Sequence, residues 1–478
     1  MLFNSIDFAI FIPVVFILYW FVTNKNLKLQ NILIVFASYI FYGWWDWRFL
    51  SLILFSTIID YFIGINLEKQ QNIFKRKTLL WTSILLNLGF LGFFKYYNFF
   101  LDNFISAFSF FGTNLNANSL NIVLPVGISF YTFQTLSYSI DIYKRKIKPT
   151  KDFVAFTAFV SFFPQLVAGP IERASNLLPQ FYTKRHFDYS KSVDGMRQIL
   201  WGLFKKIVIA DNCARYANLI FNNSSEYSGS TLLLGAIFFT FQIYGDFSGY
   251  SDIAIGVSRL FGFNLKQNFA FPYFSRDIAE FWRRWHISLS TWFRDYLYIP
   301  LGGSKGSTWN KIKNVFIIFL ISGFWHGANW TFVIWGAINA VYFLPLLLMN
   351  KNRKNLDVVA QGKLLPSTKE FLLIFTTFGL TVFAWIFFRA ENISHALYYI
   401  SHIFTTSLFS IPVIRPTETI ILIALFIFVE WLARNNEHTL FKLPKNKSIR
   451  WLTYLMIVLI IFFYGSFSEE IEFIYFQF

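Results

Sequence analysis

Long apolar runs separated by short polar punctuation set the pattern of this chain. Phe8–Val22, Leu33–Trp45, Phe49–Ile65, Leu79–Phe94 and Ile122–Ile140 approach the roughly 20 residues an α-helix needs to cross a hydrocarbon core. They predict membrane-spanning helices, because backbone polar groups in lipid must be satisfied within the segment itself. Leu203–Ala210, Thr231–Tyr244, Val315–Phe324 and Trp330–Met349 are apolar but broken by charge, Gly or Pro, and several are too short to cross. Re-entrant segments are expected there, packed in protein or lining a cavity. Further on, Phe371–Phe388, Ile420–Leu432 and Trp451–Tyr464 are expected to span. The polar residues of His395–Ser410 predict an interfacial helix between them. In Phe163–Arg173, two prolines and a glycine close an apolar run, which fits either a bend or a plain helix terminus.

The punctuation carries the topology. Lys25 and Lys28, then Lys69, Lys75, Arg76 and Lys77, then Lys144, Arg145, Lys146, Lys148 and Lys151 mark three cytoplasmic loops. Asn98–Asn121 contains no Lys or Arg and is expected to be a loop on the outer side, with the N-terminus also outside. Loops Lys351–Lys369 and Arg434–Arg450 return to the cytoplasm, and the tail with Glu469, Glu470 and Glu472 lies outside.

Composition agrees: 55% hydrophobic, 22% aromatic and 14% charged residues, with mean hydropathy +0.47, exclude a soluble domain. The formal charge of +16 is spread between apolar spans, so no nucleic-acid partner is expected; lipids are. No linker divides the chain, so residues 1–478 are read as a single integral-membrane domain. Phe8–Val22 lacks a basic n-region and a cleavage site and is read as an uncleaved span. The lone Cys213 allows no intramolecular disulfide and no thiolate cluster, and is expected to be a small buried residue.

Chemistry concentrates between Pro164 and Trp330. Asp246 and Asp252 fall in Tyr244–Asp252; six residues apart, they do not share a helical face and are read as partners of nearby arginines rather than as an acid–base pair. In Phe281–Gly303, Arg283, Arg284, Arg294 and Asp295 are interleaved with Trp282, Trp285, Trp292, Tyr296 and Tyr298. Arginine forks and aromatic faces suit a coenzyme with an adenosine phosphate end, but equally an interfacial helix with snorkelling arginines. Glu280 pairs with Arg283 or Arg284 on either reading. His286 closes the run Phe281-Trp282-Arg283-Arg284-Trp285-His286. His326 sits within Ile321–Trp330, where Ser322, Gly323, Gly327 and Asn329 leave room and hydrogen-bonding partners for a substrate. Burial favours its neutral, proton-accepting form. No second His, Cys or carboxylate stands at ligand spacing, so no metal is expected.

Taken together, Phe281–His286 and Trp325-His326-Gly327-Ala328-Asn329-Trp330 resemble the membrane-bound O-acyltransferase family, most nearly its bacterial alginate O-acetylation branch. Phe163–Pro170, Asp246–Asp252 and the terminal Phe473-Ile474-Tyr475-Phe476-Gln477-Phe478 extend the resemblance over nearly the whole chain. The resemblance implies an all-α polytopic bundle around a central tunnel, in the bacterial cytoplasmic membrane. It places His326 at the catalytic-histidine position and His286 at a position held by Asn or His. Trp282, Arg283, Arg284, Arg294, Asp295, Asp246 and Asn329 are then expected along the donor path. An acyl thioester, acetyl-CoA or another, is the implied co-substrate, with no tightly bound cofactor. The implied acceptor is an extracytoplasmic polysaccharide such as alginate or another envelope glycan, served with a partner acyltransferase of SGNH, serine-hydrolase-like fold. Tyr475 is expected to act either as an acyl relay or as an aromatic interfacial anchor. No Ser-His-Asp set is visible, so direct attack on the thioester with His326 as base is favoured, with His286 orienting the donor or stabilising the oxyanion. A transporter and a non-catalytic export scaffold remain the alternatives.

Overall fold

Every regular element in the computed structural model is helical, and the structure describes residues 1–113, 118–466 and 473–474. Glu469, Glu470, Glu472 and Tyr475 lie outside the described residues. By internal packing the chain divides into two units, Met1–Ser192 with Val257–Leu265, and Val193–Gly256 with Lys266–Phe478.

The first unit is built from α1 (Ile6–Ile17, continued by a π-wound turn Leu18–Val22), α2 (Leu27–Asp46), α3 (Leu50–Lys69), α4 (Ile73–Leu91), α5 (Tyr97–Phe110), α6 (Ile128–Tyr143) and α7 (Phe153–Ser161). Most of their starts are set by small polar residues. The side chains of Ser5, Asn26, Asn72 and Asp152 accept backbone N–H groups that a first turn leaves unpaired. Every residue of α6 from Ile128 to Ser139 is buried, so it forms the centre of the unit. Beside it, Asp60 of α3 is fully buried, with no cation paired to it among the described residues. Its carboxylate accepts hydrogen bonds from Ser83 Oγ and Asn87 Nδ2 of α4 and from Ser139 Oγ of α6. Exposed Ile10, Phe21, Phe36, Phe62, Leu85 and Phe100 form the apolar exterior expected where helices face lipid.

One expectation is corrected here: Asn98–Asn121 is not a loop in its first half, because α5 runs through Phe110. Its phenylalanine-rich sequence continues the apolar run of α4, and absence of basic residues says nothing about helicity. The Pro164 region does bend, through one helical turn at Phe163–Leu166. There Gly127 (φ 75°) approaches so closely that a Cβ would stand 2.6 Å from the Leu166 carbonyl oxygen.

The second unit contains most of α8 (Tyr189–Leu203), a π-wound stretch Phe204–Ala210, α9 (Asp211–Asn222), most of α10 (Gly229–Leu260), α11 (Ile278–Arg284) and α12 (Ile287–Phe293). It continues through α13 (Thr308–His326), α14 (Trp330–Leu348), α15 (Thr368–Arg389), α16 (Ile393–Ile403), α17 (Thr417–Ala433) and α18 (Lys447–Tyr464). The runs expected to be too short are parts of longer helices. Thr231–Tyr244 belongs to α10, 32 residues long, and Val315–Phe324 to the 19-residue α13. Glycine in α10 does not end the helix because it serves packing: a Cβ at Gly249 would stand 2.8 Å from Gly202 O. Helix α16 falls where an interfacial helix is expected, with its last turn at Ile403.

Among the described residues six helical segments are long and apolar enough to cross a membrane: Leu27–Lys69, Ile73–Phe110, Gly229–Leu260, Trp330–Leu348, Thr368–Arg389 and Lys447–Tyr464. The chain is therefore a multi-pass, all-α membrane protein.

Candidate active site

The site lies in the second unit and begins with a close helix pair. Helices α13 and α14 meet at glycines: a Cβ on Gly323 would stand 2.2 Å from Phe332 O, and one on Gly336 2.3 Å from Phe319 O. This contact fixes His326, the last residue of α13, 5% exposed. Its ring lies 5.2 Å from Trp335 of α14, 5.2 Å from Phe388 of α15 and 4.9 Å from Trp325. Trp335 stacks on Trp385 at 5.5 Å, and Trp385 lies 5.2 Å from Trp285. Trp282 reaches the same cluster, 5.6 Å from both Phe319 and Trp335.

His286 occupies the bend between α11 and α12 in a left-handed conformation (φ 43°, ψ 55°). The bend is tied by Asn268: its backbone carbonyl accepts Ile287 N–H, and its side-chain oxygen accepts Ser288 N–H and Ser288 Oγ–H and lies 3.1 Å from His286 Nδ1. An amide oxygen only accepts, so this contact makes Nδ1 the donor and leaves Nε2 as the lone-pair nitrogen. Nε2 is buried and has no hydrogen-bond partner among the described residues. Burial, with no anion to offset it, pushes the imidazole pKa down to about 3. The His286 ring lies 6.3 Å from Trp325, so one indole touches the surroundings of both histidines. The structure thus brings His286, His326 and Trp282 into one aromatic cluster.

Asp246 stands one residue before Phe247, whose ring meets His286 edge-on at 4.6 Å. Its expected arginine partner is instead a lysine. Lys206 Nζ lies 2.8 Å from both Asp246 and Asp211, and Lys205 Nζ lies 2.6 Å from Asp252. The π-wound stretch presents two consecutive lysines to α10, which the sequence pattern does not disclose. The other Asp246 oxygen accepts the backbone N–H of Ile474 at 2.6 Å, and the preceding Phe473 packs 5.0 Å from Tyr250. The chain just before Tyr475 is therefore buried against α10.

The arginines expected along the donor path are engaged elsewhere in the protein. Arg283 donates to the carbonyls of Asn352 and Asn355. Arg284 pairs with Glu280 at 2.9 Å and donates to the carbonyls of Ala270 and Asp357. Glu280 thus takes the i+4 partner, together with Arg276, which sequence reasoning missed. Arg276 also binds Asp357 and holds that carboxyl below its ordinary range. Arg294 pairs with the adjacent Asp295. Asn329 caps α14 by accepting Thr331 N–H and donates to Glu391 O. Asn268 is the other residue missed: eighteen positions before His286, in Lys266-Gln267-Asn268, nothing marks it out.

A buried imidazole with an open nitrogen, linked through Trp325 to a second buried imidazole in an aromatic cluster, defines a candidate centre for proton transfer inside a multi-pass membrane protein. Residues 144–383 match the membrane-bound O-acyltransferase family. A probable alginate O-acetylase AlgI of Pseudomonas aeruginosa is 40% identical over 399 residues, covering 83% of this chain and 73% of that protein. Its counterpart in Azotobacter vinelandii is 40% identical over 401 residues, covering 83% and 76%. A peptidoglycan O-acetyltransferase of Helicobacter pylori is 36% identical over 427 residues, covering 83% and 78%. The chain belongs to the membrane-bound O-acyltransferase family and is an acyltransferase.

Proposed function

We propose that this enzyme takes an acetyl group from acetyl-CoA on the cytoplasmic side of the bacterial inner membrane and delivers it for O-acetylation of an extracytoplasmic polysaccharide, alginate or another envelope glycan. The single observation that carries the reading is the pairing of buried His326 and His286 within one tryptophan-rich cluster. The accepting hydroxyl oxygen bonds to the thioester carbonyl carbon while His326 takes the hydroxyl proton; the C–S bond then breaks and the proton passes to the departing thiolate. Proton transfer of this kind contributes about 10²–10⁴-fold in rate. His286 orients the donor or steadies the oxyanion. Trp282, Arg283, Arg284, Arg294, Asp295, Asp246 and Asn329 shape the donor path, several of them by holding its walls rather than by touching the thioester.

The outer hand-over involves an SGNH, serine-hydrolase-like partner and Tyr475 as acyl relay. The burial of Phe473 and Ile474 beside α10 supports this, since it holds the approach to Tyr475 near Phe247 and His286. Purified enzyme given labelled acetyl-CoA tests the first part: His326→Ala abolishes thioester consumption while expression and insertion stay near normal. Persistent consumption would overturn the assignment, and transport without covalent change would replace it with the transporter. Tyr475→Phe tests the relay, because an anchoring ring tolerates loss of one oxygen and a relay does not.

A further inference from the structure

At the end of α1 in the first unit, a cavity of about 360 Å³ opens between the π-wound turn Leu18–Val22 and the segment 184–187. Phe16, Trp20, Phe21 and Phe187 form its apolar wall. Trp20 is fixed by donating to Leu260 O and meets Phe187 edge-on at 5.6 Å, while Phe16 lies 6.0 Å from the same ring. Its polar lining is Asn24 with the basic Lys25, Lys184, Arg185 and His186, and no carboxylate lines it among the described residues.

Arg185 is the unusual member. It is 6% exposed, yet every hydrogen-bond acceptor it contacts is neutral: Gln180 O, Asn31 Oδ1 and Gln30 Oε1. Its Nε is buried with no partner among the described residues. The guanidinium rests 4.7 Å over the Phe263 ring. Burial pulls its pKa below the ordinary arginine value, and no carboxylate pairs with it among the described residues. A buried cation without an anion is costly to maintain, and two flanking lysines add to the positive potential.

The rim of the cavity faces lipid. Ile10, Ile17, Phe21 and Val22 on the same short helix are exposed apolar residues, and aromatic side chains at a helix end beside Lys25 mark the head-group level. The geometry points to a binding site for the phosphodiester head group of an anionic phospholipid, with the phosphate among Lys25, Lys184 and Arg185 and the glycerol and first methylenes against Phe16, Phe21 and Phe187. A lipid fits better than a free phosphate because the aromatic wall continues outward to the apolar face of α1 and offers a soluble anion nothing.

The test uses the full-length protein in a nonionic maltoside detergent and short-chain dioctanoyl lipids as probes. Dioctanoyl phosphatidylglycerol is expected to bind at least tenfold more tightly than dioctanoyl phosphatidylcholine. The exposed pair Lys25→Gln with Lys184→Gln raises the phosphatidylglycerol Kd by roughly tenfold, as expected for two cations removed from the neighbourhood of a phosphate. Lys28→Gln with Lys191→Gln, equally exposed but outside the cavity, leaves it unchanged, and Lys25→Arg with Lys184→Arg retains it. Equal binding of the two lipids, or equal loss in both glutamine pairs, overturns the site. Displacement of the lipid by coenzyme A or inorganic phosphate at similar concentration overturns the lipid assignment in favour of a soluble phosphate ligand.

Discussion

Acidification should destabilise this protein through His286, by an amount that follows from its burial. The imidazole is held neutral with a pKa near 3 in place of 6.5. Below the unfolded value the unfolded chain takes up a proton that the folded one refuses, so stability falls as pH drops from about 6.5 toward 3. For those two pKa values linkage gives about 2 kcal/mol lost at pH 5 and almost nothing at pH 7.5. His286→Asn isolates the effect. Asparagine tolerates the left-handed backbone at this position and can still donate to Asn268 Oδ1, but it does not titrate. Unfolding of both proteins, followed by tryptophan fluorescence in detergent micelles between pH 7.5 and 5, gives a difference curve from which the other titrating groups cancel. The parent is expected to lose ~2 kcal/mol relative to His286→Asn across that range. A flat difference curve would mean that His286 is solvated or finds an acidic partner, and the open Nε2 would lose its physical basis.

Three further outcomes follow from the same geometry. Asp246→Asn leaves Lys206 with Asp211 alone and weakens the hold on Ile474; a loss of about 1–3 kcal/mol is expected, and Lys206→Met in the same background should cost much less than its single change implies. Additive losses in that thermal-denaturation cycle would rule out the pair as a unit. Gly323→Val places a Cβ against Phe332 O, so the α13–α14 contact opens, with about 1–3 kcal/mol lost and acyl transfer falling with it; parental activity and midpoint would contradict the close approach. Arg283→Ala is expected to raise the KM for the thioester several-fold with kcat nearly unchanged, because its grip on the Asn352 and Asn355 carbonyls affects ground and transition states alike. A fall in kcat alone would place Arg283 in support of the chemistry instead.

The apolar runs of the first half were legible because a membrane helix must be apolar over its own length: α2 contains the whole of Leu33–Trp45, and α3 and α4 contain most of Phe49–Ile65 and Leu79–Phe94. In the second half the same reasoning underestimated α10 and α13. Glycine and aspartate look like breaks in a one-dimensional pattern, but Gly249 makes room for Gly202 and Asp246 meets Lys206. Both compensations come from residues 40 or more positions away in sequence. His286 and His326 stood out as ionisable groups in aromatic surroundings. Asn268 did not, because its importance lies in a bend that brings it to His286 Nδ1, and local composition carries no record of that contact. The arginines of α11 were visible as cations, while their acceptors, mostly backbone carbonyls, have no sequence signature at all.

The isolated Asp60 carboxylate has a consequence for how the protein is made. On a growing chain α3 emerges before any of the groups that satisfy it: Ser83 follows 23 residues later, Asn87 27 and Ser139 79. At roughly 5–20 residues per second, the last partner arrives about 4–16 s after Asp60 itself. A charged carboxylate at mid-helix carries a penalty of about 2.5–3.5 kcal/mol on release into lipid. Until α4 and then α6 are made Asp60 lacks these three partners, so a chain truncated before Ser83 is expected to hold α3 less firmly in the bilayer than one that extends past Ser139.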